Sequence, residues 1–332
     1  MKRTGVGFTG ESSRDLPIEK LIDLGRRADE EGFESVWLTE SYYYNDAITR
    51  LTALALNTKN VRLATGVINP QTRSPPLIAM TMATLDEISY GRAILGIGAS
   101  PRLWMYEKHL HTTHPGKMIR EAVEIIRKLL AGEKVTYKGK LFQLENLRLG
   151  FDRKRKEMPI YLAAVRHKMN EIAGEIADGV ILTNGATPEY AREAKKSIIT
   201  GAKKAGRDPT KIDIASFVLT SISDDRKKAR EMLRRVIAYM TINPNMDVVL
   251  EPSGLLNHKA IPKIREAGRR GDIEEAAKYV DDELTDAMAA AGTPKDCERR
   301  VDEFRQAGVD LPILVPMSYD MFLKAITTFS SK

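Results

Sequence analysis

Short apolar runs recur along this chain at intervals of about thirty residues, and each is followed by a stretch whose apolar positions repeat with helical spacing. That alternation constrains the fold more than any other feature, because a strand whose helix returns it beside a neighbouring strand builds a parallel sheet. The spacing predicts strands at 5–9, 35–39, 61–68 and 93–97, with helices at 18–31, 46–56, 76–88 and 117–131. Pro17 suits the first turn of the first helix and Gly32 closes it. Further strands at 159–163, 179–182, 212–220 and 312–315 complete a set of eight. They alternate with helices at 168–176 and 188–205 and with mostly helical stretches at 226–270 and 273–305, the latter broken at Gly292-Thr293-Pro294. Between 132 and 157 the rhythm stops, and Gly132, Gly139 and Gly150 punctuate short β-like pieces at 134–137 and 140–144.

Eight such units in 332 residues fit one (β/α)8 TIM barrel domain over 1–332, with insertions near 132–157 and 226–290. An open doubly wound sheet would announce itself by a glycine-rich first β-α turn. The string Gly5-Val6-Gly7-Phe8-Thr9-Gly10 matches that pattern only as letters, since its first glycines lie inside the strand. With 42% hydrophobic residues the chain can bury a core, which excludes disorder. Lys and Arg number 52 against 45 Asp and Glu, a net charge of +7. The basic residues are dispersed among acids rather than gathered into one stripe, so nucleic acid is not an expected partner. The densest run, Arg153-Lys154-Arg155-Lys156, reads as a surface loop. The single Cys297 forms no internal disulfide, and no Cys/His cluster has metal-ligand spacing, so a reducing cytoplasm and no metal are expected. The amino terminus runs straight into a predicted strand without a signal-type apolar region, and no apolar stretch approaches the ~20 residues that span a bilayer, so no membrane partner is expected.

In a barrel the chemistry gathers where the strands end. Strand two ends in Thr39-Glu40-Ser41-Tyr42-Tyr43-Tyr44, strand three in Thr65-Gly66-Val67-Ile68-Asn69-Pro70-Gln71-Thr72-Arg73-Ser74-Pro75, and strand four in Gly96-Ile97-Gly98-Ala99-Ser100-Pro101. Successive side chains diverge, so the three tyrosines cannot share one core. Ala163-Ala164-Val165-Arg166-His167-Lys168 and Thr183-Asn184-Gly185-Ala186 follow the next two strands. Each offers backbone amides at a helix start, an arrangement that accommodates phosphate but that also occurs in ordinary helix starts.

The strings Trp37-Leu38-Thr39-Glu40, Thr65-Gly66-Val67-Ile68-Asn69-Pro70 and Ala83-Thr84-Leu85-Asp86-Glu87-Ile88-Ser89-Tyr90-Gly91-Arg92-Ala93-Ile94-Leu95-Gly96-Ile97-Gly98 resemble the bacterial luciferase-like superfamily of flavin- and deazaflavin-dependent oxidoreductases. Within it they are similar to the methylenetetrahydromethanopterin reductases. Arg127-Lys128-Leu129-Leu130-Ala131-Gly132-Glu133, Ala173-Gly174-Glu175-Ile176-Ala177-Asp178-Gly179-Val180 and Ala291-Gly292-Thr293-Pro294-Lys295 extend the likeness over nearly the whole chain.

The resemblance implies a barrel that binds coenzyme F420 and reduces a methylene-tetrahydropterin, with reduced FMN and oxygen, or a catalytically degenerate cofactor-binding protein, as alternatives. It implies a cofactor site formed by Thr39, Glu40, Thr65, Gly66, Val67, Asn69, Ala164, Val165, Arg166, Thr183, Asn184 and Gly185, with the phosphate near Arg166 and a non-proline cis peptide at Gly66–Val67. A homo-oligomer, dimer or tetramer, is implied as well. The family's pattern is incomplete here: Gly7 replaces a carboxylate of strand one, Glu40-Ser41 replaces an Asp-His pair, and Pro101 stands where an acid is usual. Glu40 is therefore the expected catalytic, proton-handling residue, with a purely structural carboxylate as the alternative reading. Glu11, Glu107, His109 and His111 are substitute acids and bases, and Tyr42 and Trp104 are expected to sandwich a flat pterin.

Overall fold

A computed structural model describes residues 2–41, 44–99, 114–152, 155 and 157–331, apart from the side chain of Glu11. The strands are β1 (Gly5–Phe8), β2 (Ser35–Leu38), β3 (Arg62–Thr65), β4 (Ala93–Ile97), β5 (Val135–Lys138), β6 (Gln143–Leu147), β7 (Ile160–Ala163), β8 (Gly179–Leu182), β9 (Asp213–Ile222), β10 (Ala289–Gly292) and β11 (Leu311–Pro316). Eight of them pair in parallel in the order β1-β2-β3-β4-β7-β8-β9-β11, and β11 returns to β1 to close the barrel. The eight predicted strands are these eight.

Helices cover the outside, each turning a buried stripe inward. Leu21, Leu24, Gly25 and Ala28 of Ile18–Glu30 repeat at helical spacing and face the sheet. Pro188–Lys204 begins with Thr187 accepting the Tyr190 amide and Pro188 in the first turn. Among the described residues no helix is long and apolar enough to cross a membrane.

One expectation is corrected. The stretch 273–305 reads as helical, yet Ala289–Gly292 is strand β10, paired with Leu219–Ile222 at the far end of the ten-residue β9. A run of three alanines favours helix when only local preference counts. Here the small side chains fit a buried edge beside Cys297, whose thiol lies 3.4 Å from the Ala290 carbonyl oxygen, so tertiary pairing wins. Burial pushes that thiol's pKa up to about 12, which leaves it an inert packing group.

The barrel interior is filled by complementarity between glycines and aromatic rings. Inward positions alternate along each strand, and β2, β7 and β9 contribute Trp37, Tyr161 and Phe217. Trp37 meets Tyr161 at 5.6 Å between ring centres and Phe217 edge-on at 6.4 Å. Other strands carry glycine where those rings lie. A Cβ on Gly7 would lie 2.9 Å from the Phe217 ring and 3.0 Å from Ile313, one on Gly66 would lie 2.8 Å from Phe217, and one on Gly179, beside Tyr161 on the neighbouring strand, would lie 2.5 Å from its ring. Below the rings, Arg3 bridges Glu34 and Asp213, and the Tyr161 hydroxyl donates to Asp213. This ion cluster seals the end of the barrel where the strands start.

The segment between β4's helix and β7 forms the antiparallel β5–β6 hairpin. Glu121, buried on the helix Pro115–Leu130, accepts the amides of Lys140, Leu141 and Phe142 at 2.9–3.1 Å and so ties the hairpin turn to the barrel's flank. Burial opposes its charge, but the three amides together hold its pKa below the usual glutamate value.

Two outcomes follow from this packing. Gly7→Ala should destabilise the fold by about 1–3 kcal/mol in guanidinium denaturation, and adding Phe217→Leu should recover part of the loss because it vacates the contested volume. The stabilisation from Glu121 is present above the ordinary glutamate pKa and is lost as pH falls through its lowered value. Wild type should therefore melt higher than Glu121→Gln in neutral buffer, and the two melting curves should converge in acid.

Candidate functional site

The end of the barrel opposite the ion cluster is rimmed by the residues that follow β2, β3, β4, β7 and β8, five neighbours in the sheet order. The closure brings together at this rim Thr39, Glu40, Gly66, Val67, Asn69, Ala164, Val165, Arg166, Thr183, Asn184 and Gly185, which are scattered over 146 positions of sequence, from 39 to 185.

Backbone forms much of the wall. The Thr39 amide donates to the Phe8 carbonyl oxygen at 3.1 Å and the Gly66 amide to that of Leu38 at 2.7 Å, which carries the ladder past the ends of β2 and β3. The Gly66–Val67 peptide is cis. Ile68 bridges to Ile97, and the Gly98 amide donates to the Ile68 carbonyl oxygen at 2.9 Å. A Cβ on Gly98 would lie 2.9 Å from both Ala163 Cβ and Val67 Cγ2. Small residues at 66, 98 and 163 thus let the backbone of the rim pack directly over an apolar layer of Phe217, Trp37 and Ile313.

Two of the predicted site residues turn their side chains to other work. Thr65 is fully buried; its hydroxyl donates to the Gly96 carbonyl oxygen at 2.8 Å and accepts from the Gly96 amide at 2.9 Å, locking β3 to β4. Asn69 is buried, with Oδ1 accepting the Gln71 amide at 2.9 Å in a local turn that also brings the Arg73 amide onto the Asn69 carbonyl oxygen at 3.1 Å.

On the other side of the rim, Arg166 is the exposed N-cap of the helix His167–Ile176, and its Nη2 donates to Asn245 Oδ1 at 3.1 Å. Lys168 directs its charge to Glu171 at 3.2 Å. Gly185 has φ of 76°, a conformation that disfavours side chains, and a Cβ there would lie 3.0–3.5 Å from Met240, Met288 and Met246. Asn184 Oδ1 beside it is buried, with no hydrogen-bond partner among the described residues. A buried acceptor left unmet needs a physical account, and a donor-bearing ligand at this loop supplies one. The buried Tyr190 closes the loop from behind, its hydroxyl donating to the Val165 carbonyl oxygen at 2.6 Å.

Glu40 is not a free acid at an open mouth. Arg73 Nε donates to its Oε1 at 2.6 Å, and the same guanidinium reaches Asp46. Burial works against the charges of Arg73 and Asp46; Glu40 first and Asp46 second keep Arg73 above its usual pKa, and the Thr49 amide and hydroxyl, with Arg73 behind them, hold Asp46 below the usual carboxylate range. Sequence reasoning passed over Arg73, Asp46, Asn245 and Phe217. Arg73 stood in the strand-three string without a visible partner, because its two carboxylates belong to another loop. Tyr42, Trp104, Glu107, His109 and His111 lie outside the described residues, as does the side chain of Glu11; Tyr44 is exposed.

Residues 4–311 match the family described as luciferase-like monooxygenase. Relatives include a protein named 5,10-methylenetetrahydromethanopterin reductase from Methanolobus tindarius, 37% identical over 88% of this chain and 89% of its own length. Another of that name, from Archaeoglobus fulgidus, is 38% identical over 89% of each chain. A solved structure described as the coenzyme F420 dependent tetrahydromethanopterin reductase from Methanopyrus kandleri aligns with a TM-score of 0.90 at 30% identity, covering 99% of this chain and 97% of that one. With the closed parallel barrel, the rim of backbone and small residues, and these matches along almost its full length, the chain belongs to the luciferase-like monooxygenase family.

Proposed function

We propose that this chain is a coenzyme F420-dependent reductase acting on a methylene-tetrahydropterin, as the names of its relatives suggest. The observation that carries the reading is the rim itself: a wall of backbone at Gly66–Val67 and Gly98 over an aromatic floor suits a flat ring. The Asn184 acceptor beside Gly185 suits a hydroxyl or N–H donor on a polar extension of that ring, and the exposed Arg166 suits a phosphate there. When bound, the deazaflavin supplies hydride at C5. The protein's share is to seat the ring and exclude water from the apolar floor. In this reading Ala164, Val165, Arg166, Thr183, Asn184 and Gly185 hold the phosphate-bearing part, while Thr39, Glu40, Gly66 and Val67 border the ring. Thr65 and Asn69 contribute by fixing the backbone. The buried, unreactive Cys297 agrees with a reducing compartment, which we propose to be the cytoplasm.

We further propose a homo-oligomer built on the helices Ala47–Asn57 and Pro75–Ile88. Their outward faces expose Leu56 (73%), Leu77 (39%) and Met80 (45%). The only charged residue of the first helix, Arg50, is buried, and the second has just Asp86, buried, and Glu87 near its end. On a chain of net charge +7, a face without charge is where two copies approach without repulsion.

Titration with F420 and with FMN tests the cofactor: F420 should bind and FMN should bind far more weakly. Arg166→Ala should weaken F420 binding by about tenfold, less at high salt; unchanged affinity would move the phosphate away from Arg166. Light scattering of Met80→Glu should show a smaller species than wild type, and an unaltered mass would rule out this face.

A further inference from the structure

We infer that Arg73 is a positioning residue of the site, holding Glu40 as a fixed acceptor for an N–H on the edge of a bound heterocycle. The inference rests on the functional reading above. Glu40 follows β2 and Arg73 lies on the loop after β3, so their contact joins two adjacent segments of the rim. Arg73 Nε meets Glu40 Oε1 at 2.6 Å and Nη2 lies 3.5 Å from Oε2, while the Ala47 amide lies 3.4 Å from Oε2. The side chains of Glu40 and Arg73 are only 10% and 20% exposed, so solvent screens their attraction less than it screens an open surface pair.

The same guanidinium holds Asp46, which caps the helix Ala47–Asn57 by accepting the Thr49 amide at 2.7 Å and hydroxyl at 2.8 Å. A planar fork can serve two carboxylates at once; the compact ammonium of a lysine cannot do so with the same geometry. On its own side, Arg73 is placed by the Asn69 turn directly after Gly66–Val67. A chain of contacts thus runs from the backbone wall through Asn69 and Arg73 to Glu40 and on to the helix start.

Among the described residues the groups that meet the Glu40 carboxylate are N–H donors, so in this arrangement it serves as an acceptor. A carboxylate offers about four lone-pair positions, and the three N–H contacts leave capacity for one further donor. Deazaflavin and pterin rings both carry N–H groups of the required kind. Glu40 therefore selects for a nitrogen-bearing ring edge, and proton delivery falls to another group.

Arg73→Gln, Arg73→Lys, Glu40→Gln and the Arg73→Gln/Glu40→Gln double variant test this. In the ligand-free protein, hydrogen exchange at the Ala47 and Thr49 amides should accelerate in Arg73→Gln and less in Arg73→Lys. Each Gln variant should raise either the Kd for F420 or the KM for the pterin by about tenfold, and the parameter that moves identifies the ring. The double variant should be no worse than the poorer single one, and the shape of the kcat–pH profile should persist. The inference is overturned if Glu40→Gln lowers kcat about a hundredfold or more and removes a limb of the profile while Arg73→Gln does neither, since Glu40 would then be a proton donor acting alone. It is also overturned if exchange is unchanged in Arg73→Gln. Failure of wild type to bind F420 would sink the functional reading instead, and the exchange measurement would still decide the clamp.

Discussion

Three rings cannot occupy the inside of a narrow barrel unless other strands give up their side chains beside them. That constraint organises this protein. Trp37, Tyr161 and Phe217 stand on alternate sides of the interior, and Gly7, Gly66 and Gly179 leave the volume they fill. Because interiors pack as densely as organic crystals, the exchange is tight: each of these glycines is within contact of a ring. The arrangement places apolar bulk below the rim and leaves backbone to form the wall above it.

The same packing explains why the site looks unlike the pattern its resemblance implies. A carboxylate at position 7 would have to share space with Phe217 and Ile313, so an acid in strand one and this aromatic floor exclude each other. The polar chemistry is displaced to the rim, where Glu40, Asp46 and Arg73 form one ionic unit and Arg166, Asn184 and Asn245 lie on the opposite side. The barrel's two ends are therefore different in kind. The Arg3, Glu34 and Asp213 cluster closes one with paired charges, whereas the other carries the Asn184 acceptor that no described residue meets.

The barrel could be read from the chain because its strands are buried on both faces and its helices on one, so that each element carries its own periodicity. Ala289–Gly292 escaped because three alanines carry no strand signal; only the long edge of β9 makes them a strand. Gly66 was legible as a place where backbone or ligand approaches closely, but the reason for Gly7 was not, since Phe217 lies 210 positions further along. Glu40 was visible as an acid at a strand end. That it is clamped was not, because the pairing with Arg73 depends on two loops meeting across the rim.

The proposed reaction is direct hydride transfer from a reduced deazaflavin seated at this rim to a methylene-tetrahydropterin. The most direct measurement is a single turnover with reduced F420 carrying deuterium at C5, followed by mass analysis of the pterin. The account predicts one deuterium in the new methyl group and a slower turnover than with protium. Oxidation of the cofactor without label in the pterin, or no oxidation despite tight binding, would contradict it.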